Sequence, residues 1–525
     1  MFIKSRLGRW LVMLTLTVFG TWHCNLSFTK ELPEARATAY PVDIPVLKGL
    51  VANPILRITI SLPLKNDGLQ IQTLRVSLNP SSLKDIQTLD VYQTGAEPFS
   101  SNTLLARTKP SSPGFDIPVA TTSQSSLFFL WISIVLTPEA DINHLIELHC
   151  EKIVFHNGEQ LRVNEQKGNY TKRCGVVVRK AGDDKVNTYR IPGIVQTDKG
   201  TLIAVYDNRY NNSRDLPEDI DIGMSRSIDS GRSWQPMKVI MDMGTPHANN
   251  GVGDPAILFD PATKEILVAA LWSKGNRSIA GSGPGLAPDS TGQFMLVSST
   301  DDGLTWSAPR SITKQVKRPA WNLFFNGPGM GIAMSDGKLV FAAQYWDENK
   351  MPFATIIYSE DHGKTWKGNI AGPKANTTES QVAEISPGML MLNMRDNRGG
   401  YRSIATTKNM GSRWTEHSTS FSALPDPVCM GSLLKATVNV SGSVQEVLFF
   451  SNPNTSHDRY NITIKASLDL GQTWLPAHQL LIDERDSFGY SCLTKIDDHT
   501  IGILYEGIKD LFFVKVPVSA VLTRK

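Results

Sequence analysis

Ser299-Thr-Asp301-Asp-Gly303-Leu-Thr305-Trp306 decides the fold, because the chain rewrites it. Full copies are Ser227-Ile-Asp229-Ser-Gly231-Arg-Ser233-Trp234, Ser359-Glu-Asp361-His-Gly363-Lys-Thr365-Trp366 and Ser467-Leu-Asp469-Leu-Gly471-Gln-Thr473-Trp474. A degenerate copy, Thr407-Lys-Asn409-Met-Gly411-Ser-Arg-Trp414, sits between the last two, and the Asp-to-Asp (or Asn) steps are 72, 60, 48 and 60 residues. A short motif recurring at such steps marks a repeat architecture. Asp accepts bonds from backbone amides, Gly takes a conformation other residues resist, and Trp covers the turn with an apolar ring. The motif is therefore a hairpin device, and its Asp residues read as structural. His362, inside one box, reads as solvated.

Short apolar runs precede the boxes, among them 200–207, 265–272, 337–344, 388–394 and 446–450. A second alternating run then enters each box, as in Ala354-Thr-Ile-Ile-Tyr-Ser359. These runs read as strands, and radial repetition of small sheets leaves few exposed edges. Five boxes and one unmarked unit predict an all-β chain with a six-bladed β-propeller over 169–525. Residues 28–168 lack the boxes but carry strand-like runs such as Ile55-Leu-Arg-Ile-Thr-Ile-Ser-Leu62, which predict a β-sandwich domain of carbohydrate-binding type. At the start, Lys4, Arg6 and Arg9 precede an apolar stretch from Trp10 to Trp22, too short for a comfortable bilayer span; residues 1–27 read as a signal peptide and the protein as exported.

Of 525 residues, 53 are Lys or Arg and 50 Asp or Glu, and three of the cations fall in the leader. The near-neutral remainder offers no basic field for nucleic acid, and no transmembrane segment is expected. Cys150, Cys174, Cys429 and Cys492 are scattered without metal-ligand spacing, so neither a metal nor any other cofactor is expected.

Just past the domain boundary stands Tyr189-Arg190-Ile191-Pro192. With the boxes, this motif resembles the sialidase (neuraminidase) family over roughly the last two thirds of the chain. Sialic acid carries a carboxylate on its anomeric carbon, and arginine forks bind carboxylates bidentately. The resemblance implies three such arginines, which match Arg190, Arg395 and Arg459. Arg402 competes with Arg395, which is preferred because it closes an apolar strand. The usual retaining glycosidase uses a carboxylate nucleophile, whereas sialidases use a Tyr. A neutral phenol avoids repulsion from the substrate's own carboxylate, provided a base takes its proton. Tyr490, in Ser487-Phe-Gly-Tyr490, matches that nucleophile, and Glu379, preferred over Glu384, matches its base. Asp215 matches the general acid, with Asp219 and Asp221 as alternatives. Arg209 and Asp254 match substrate contacts, although Asp254 reads equally as a turn cap before Pro255.

The expected protein is thus a monomeric exo-sialidase acting on sialylated glycans. A trans-sialidase or anhydro-forming variant shares these residues. A non-catalytic sialic-acid-binding propeller needs the arginines but not Tyr490, Glu379 and Asp215 together.

Overall fold

The computed structural model describes residues 35–522, apart from 64–68, 96–102, 120–125, 246–249, 276 and 369. The expected leader lies outside these residues. All-β architecture follows the apolar runs. Leu202–Arg209 is buried at every position, as expected for the middle of a sheet covered on both faces.

Five separate sheets form the repeats, antiparallel apart from one short parallel pairing in the second. The first comprises Thr188–Gln196, Leu202–Arg209, Ile220–Ser227 and Lys238–Met241 in sequence order. The second is built on Val252–Phe259, Ile266–Trp272 and Gln293–Ser299, the third on Leu323–Asn326, Leu339–Trp346 and Pro352–Ser359. The fourth contains Thr377–Ser386, Met389–Asp396 and Ser403–Thr407, and the fifth Ser432–Val440, Ser443–Pro453 and Ile462–Ser467.

The propeller therefore has five self-contained blades, not the six expected. The unmarked unit, Ser491–Asp497, Thr500–Glu506 and Leu511–Pro517, is not a sheet of its own. Its last strand pairs with Thr171–Arg179, which continues into the sheet system of the N-terminal region. Thr171–Arg179 is long enough to serve two partners. Its residues 171–173 pair with 145–147, and 175–179 with 511–514.

In the N-terminal β region, Arg36–Pro41, Pro54–Ser61, Leu127–Leu136 and Ile86–Thr94 pair in that order. Ile71–Leu78 and Leu145–Phe155 pair with one another, and alternate residues of all these strands meet in a shared core. Cys150, Cys174, Cys429 and Cys492 are buried and unbridged. Among the described residues no helix is long and apolar enough to cross a membrane.

The boxes of the first, second, fourth and fifth blades join the third strand to the fourth; in the third blade the chain leaves the box with only a bridge from Lys367 to Tyr358. In the second, Ser299 donates to Asp301 at 2.9 Å, and the Thr305 amide and hydroxyl donate to the same carboxylate. The Thr305 bonds hold Asp301 down to about 2, well below the usual carboxylate value. The residue after the box Asp reaches back one blade. Asp302 accepts bonds from Thr197 and Thr201, both at 2.7 Å, in the first blade. His362, expected to be solvated, keeps its side chain 42% exposed and also meets Asp260 of the second blade at 2.8 Å. Gly231 has φ +87°, and a Cβ there would stand 2.1 Å from the Phe513 ring. Gly337 has φ +86° but open space around it. Gly231→Ala should therefore destabilise the protein by about 2–4 kcal/mol, against about 1 kcal/mol for Gly337→Ala. Urea unfolding of the two variants checks this; equal losses would show that the Phe513 contact is unimportant.

Candidate functional site

The boxes occupy one end of the blades; the predicted site residues gather at the other, where first strands begin and second strands end. The first strands of the first, second and fourth blades break register at this level, between Arg190 and Gly193, Gly253 and Ala256, and Thr377 and Ser380. Such bulges re-aim side chains. Two of them place non-glycine residues in the left-handed region, Ile191 at φ 56° and Asp254 at φ 59°. That conformation costs about 1–3 kcal/mol and persists only where surroundings enforce it. Here the enforcement is a carboxylate ending the second strand of the preceding unit. Glu506 accepts the Ile191 N–H at 2.7 Å, and Asp207 accepts the Asp254 N–H at 2.9 Å.

Glu506 does more than hold Ile191. It has no exposed surface, takes the Arg190 Nε at 3.1 Å, and takes the Tyr490 N–H at 2.9 Å on its other oxygen. Burial acts against the charge of Arg190. Glu506, with Tyr490 and Asp215, nonetheless holds its pKa above the ordinary guanidinium value. The Arg190 guanidinium lies 4.3 Å from the Phe488 ring centre and 5.1 Å from that of Tyr490. Asp207 is fully buried and fork-bonded by Arg209 at 2.9 and 3.1 Å; burial pushes its pKa up to about 6 against that pull. Arg209 also holds Asp215 at 2.7 Å, and Arg190 approaches the same oxygen at 3.6 Å. Asp215 itself is 66% exposed. The Asp254 carboxyl is raised well above the usual range by burial, with Asp207, Glu379 and Asp215 adding to the effect.

Across the cavity, the Tyr490 hydroxyl donates to Glu379, whose two oxygens lie at 2.7 and 2.6 Å. Arg395 donates to Glu379 at 2.6 Å and to the Tyr490 oxygen at 3.0 Å. Burial, with Glu379 next, pushes the Tyr490 phenol well above its usual value. Arg459 is fixed by the carbonyls of Phe488 and Val428, at 3.0 and 2.9 Å. Seven of the predicted residues line one cavity of about 270 Å³; Arg209 stands behind it, bonded to Asp215.

The rival candidates are spent elsewhere. Arg402 is fully buried, bonding Asn393 and Asp426. Glu384 caps a turn through Ser335 and Gly388. Asp221 accepts the Tyr210 hydroxyl.

Residues 200–504 match the BNR repeat-like domain and residues 34–159 the N-terminal domain of BNR-repeat neuraminidase. A Bacteroides fragilis sialidase is 45% identical over 84% of this chain and 88% of its own. The chain belongs to the sialidase family. Another relative, the Micromonospora viridifaciens sialidase, is 35% identical over 62% of this chain, which spans half of that protein's length. Among solved structures, the Hadza microbial sialidase Hz136 superposes with a TM-score of 0.86 at 40% identity, covering 92% of this chain and 99% of its own. A Trypanosoma rangeli sialidase, solved with 2,3-difluorosialic acid as a covalent intermediate, shares the fold at 24% identity and a TM-score of 0.55, over 66% of this chain and 57% of its own.

Sequence reasoning missed Glu506 and Asp207 in this sialidase. Each is the acidic residue ending, or nearly ending, a second strand beside the next unit's first strand, which was the available signal. Glu506→Gln leaves the Arg190 charge buried against an amide, and should cost roughly 3 kcal/mol in urea unfolding. Turnover of a fluorogenic sialoside should fall with it; a variant as stable and active as the parent would remove Glu506 from its central place.

Proposed function

We propose that this sialidase is a retaining exo-α-sialidase that hydrolyses terminal sialic acid through a covalent sialyl-tyrosine. The observation that carries the reading is the Tyr490 hydroxyl bonded to both oxygens of Glu379 within 2.7 Å. With its pKa raised, Tyr490 rests as a neutral phenol and needs a base at hydrogen-bond reach, which Glu379 supplies.

In the first step the Tyr490 oxygen attacks the anomeric carbon as Glu379 takes the phenol proton. The glycosidic bond breaks and Asp215 gives a proton to the departing oxygen. Water then attacks the same carbon, with Asp215 as base, and the phenol oxygen recovers its proton from Glu379. Arg190, Arg395 and Arg459 clamp the sialic acid carboxylate, Arg209 orients Asp215, and Asp254, whose pKa is raised well above the usual range, faces the sugar. The substrate class is sialylated glycans and glycoconjugates. A binding propeller has no use for a buried Tyr–Glu pair.

We further propose that 169–525 is the catalytic domain, its last three strands closed by residues 175–179, and 28–168 an accessory β-sandwich. The leader's layout supports export, and a monomer suffices because one chain supplies every group named.

Tyr490→Phe should lower release of umbelliferone from an umbelliferyl sialoside by about 10³-fold or more. Asp215→Ala should lose about 10²–10⁴-fold on sialyllactose but far less on the umbelliferyl sialoside, whose leaving group needs little protonation. Equal losses on both substrates would move the acid elsewhere. Absence of turnover by a folded parent protein would sink the hydrolase reading.

A further inference from the structure

Asp215 stands on the loop between the second and third strands of the first blade. Among the described residues, the hydrogen bonds of 211–218 stay within that blade. Arg209 donates to the Ser213 carbonyl at 2.7 Å, the Arg214 amide to Asn212 at 2.8 Å, and Asn212 to Glu218 at 3.2 Å. What ties the loop to other blades is apolar. Of residues 211–219, Leu216 alone is buried, at 7% exposure. Its side chain joins a cluster with Leu271 of the second blade and Leu323 and Phe325 of the third, and with Ile220, where the loop returns to its strand. Ile279 and Trp346 pack against this cluster. Phe325, Ile279 and Trp346 also line the catalytic cavity beside Asp215, so the seat of Leu216 is continuous with a wall of the site.

The seat is firm. Leu271 and Leu323 belong to strands and have almost no exposed surface. Ile279 sits on a segment whose Arg277 donates to the Pro288 carbonyl at 2.7 Å and whose Gly285 carbonyl accepts from Lys317 at 2.6 Å. Beside the loop, Gly251 leaves room for it. A Cβ there would stand 2.2 Å from the Glu218 carbonyl oxygen and 2.9 Å from a Leu216 methyl. Close-packed side chains have few alternative arrangements, so a leucine held in such a cluster fixes the backbone next to it. Asp215 is the adjoining residue. Its carboxyl is 66% exposed, and a general acid acts only within hydrogen-bond reach of the leaving oxygen.

We propose that Leu216 is the positioning residue for Asp215. Seated among side chains of the second and third blades, it sets where the acid stands over the cavity, while Arg209 sets which way the carboxyl points. The inference rests on the reading of Asp215 as the general acid.

The test is kcat/KM of the full chain on sialyllactose, which needs the acid, and on the umbelliferyl sialoside, which needs it little. Leu216→Ala should lose about tenfold or more on sialyllactose and less than about threefold on the umbelliferyl sialoside. Leu216→Met, close in volume, should stay within about twofold of the parent on both. Added to Asp215→Ala, Leu216→Ala should cost sialyllactose turnover no more than about twofold further, because the loop then carries no acid to misplace. Gly251→Ala pushes on the loop without changing Leu216 and should show the same selective loss, so the test stands even if Leu216→Ala does not fold. Equal losses on the two substrates, no loss on either, or a full further loss in the double variant would each overturn the proposal. Equal losses in Asp215→Ala itself would bring down the acid reading and this inference with it; a selective Asp215→Ala beside an unselective Leu216→Ala would overturn this inference alone.

Discussion

One carboxylate with no access to water holds the site together. Glu506 ends a strand near the C-terminus and binds a guanidinium and two backbone amides, drawn from the first blade and from the segment ahead of the last strands. A lone carboxylate in such surroundings is prohibitively costly; with a cation and three donors on its two oxygens the burial becomes tolerable. The arrangement also has a direction. Arg190 commits its Nε to Glu506, which leaves the outer edge of the fork facing the cavity. Arg459 is fixed in the same manner by two carbonyls and Arg395 by Glu379. Arg190 and Arg459 are thus held by partners outside the cavity lining, and Arg395 by Glu379 within it. Electrostatic stabilisation is strongest when that orientation is complete before substrate arrives.

Because Glu506 and Tyr490 belong to the last strands and Arg190 to the first blade, closing the ring and assembling the site are one event. Thr171–Arg179 performs the closure, pairing with Leu511–Pro517 at one end and with the N-terminal β region at the other. The first strand of the first blade also packs beside Ser491–Asp497. At the opposite end of the blades, Asp302 and His362 each bond the preceding blade. The propeller is therefore tied at both ends, and the strained backbone at Ile191 and Asp254 rests on a frame with little freedom to relax.

Much of this was legible because the signals were local. The boxes state their own hydrogen bonds, with Ser, Asp and Thr at fixed steps, and the runs before them are unmistakably strands. Arg395 was separable from Arg402 since one closes an apolar run and the other starts the return. Glu506 and Asp207 were not legible: an acidic residue at a strand end looks the same whether it meets water or a buried arginine. Only ring closure decides, and that is a relation between residues hundreds of positions apart. The blade count failed for a related reason. The last strands carry no box, and the strand that completes them also belongs to the preceding region, so neither motif nor composition marks them. The bond from His362 was not legible because its partner, Asp260, comes from a neighbouring blade.

The burial of the site is uneven, and the proposed chemistry accounts for it. Tyr490 and Glu379 lie deep, where a low effective dielectric strengthens their hydrogen bond and where Arg395 touches both. A phenol there stays protonated until a cationic anomeric centre gives it reason to ionise. Asp215, by contrast, rides an exposed loop and is held by Arg209, with Arg190 3.6 Å from the same oxygen. The acid that serves a leaving group has to admit glycans of different size and then exchange with the water that completes the reaction, so exposure suits it where burial suits the nucleophile. The second blade contributes to the same cavity a carboxyl, Asp254, whose pKa burial and its acidic neighbours raise well above the usual range. Three carboxyl groups and three guanidiniums coexist within about 270 Å³ because each differs from the next in depth and partner.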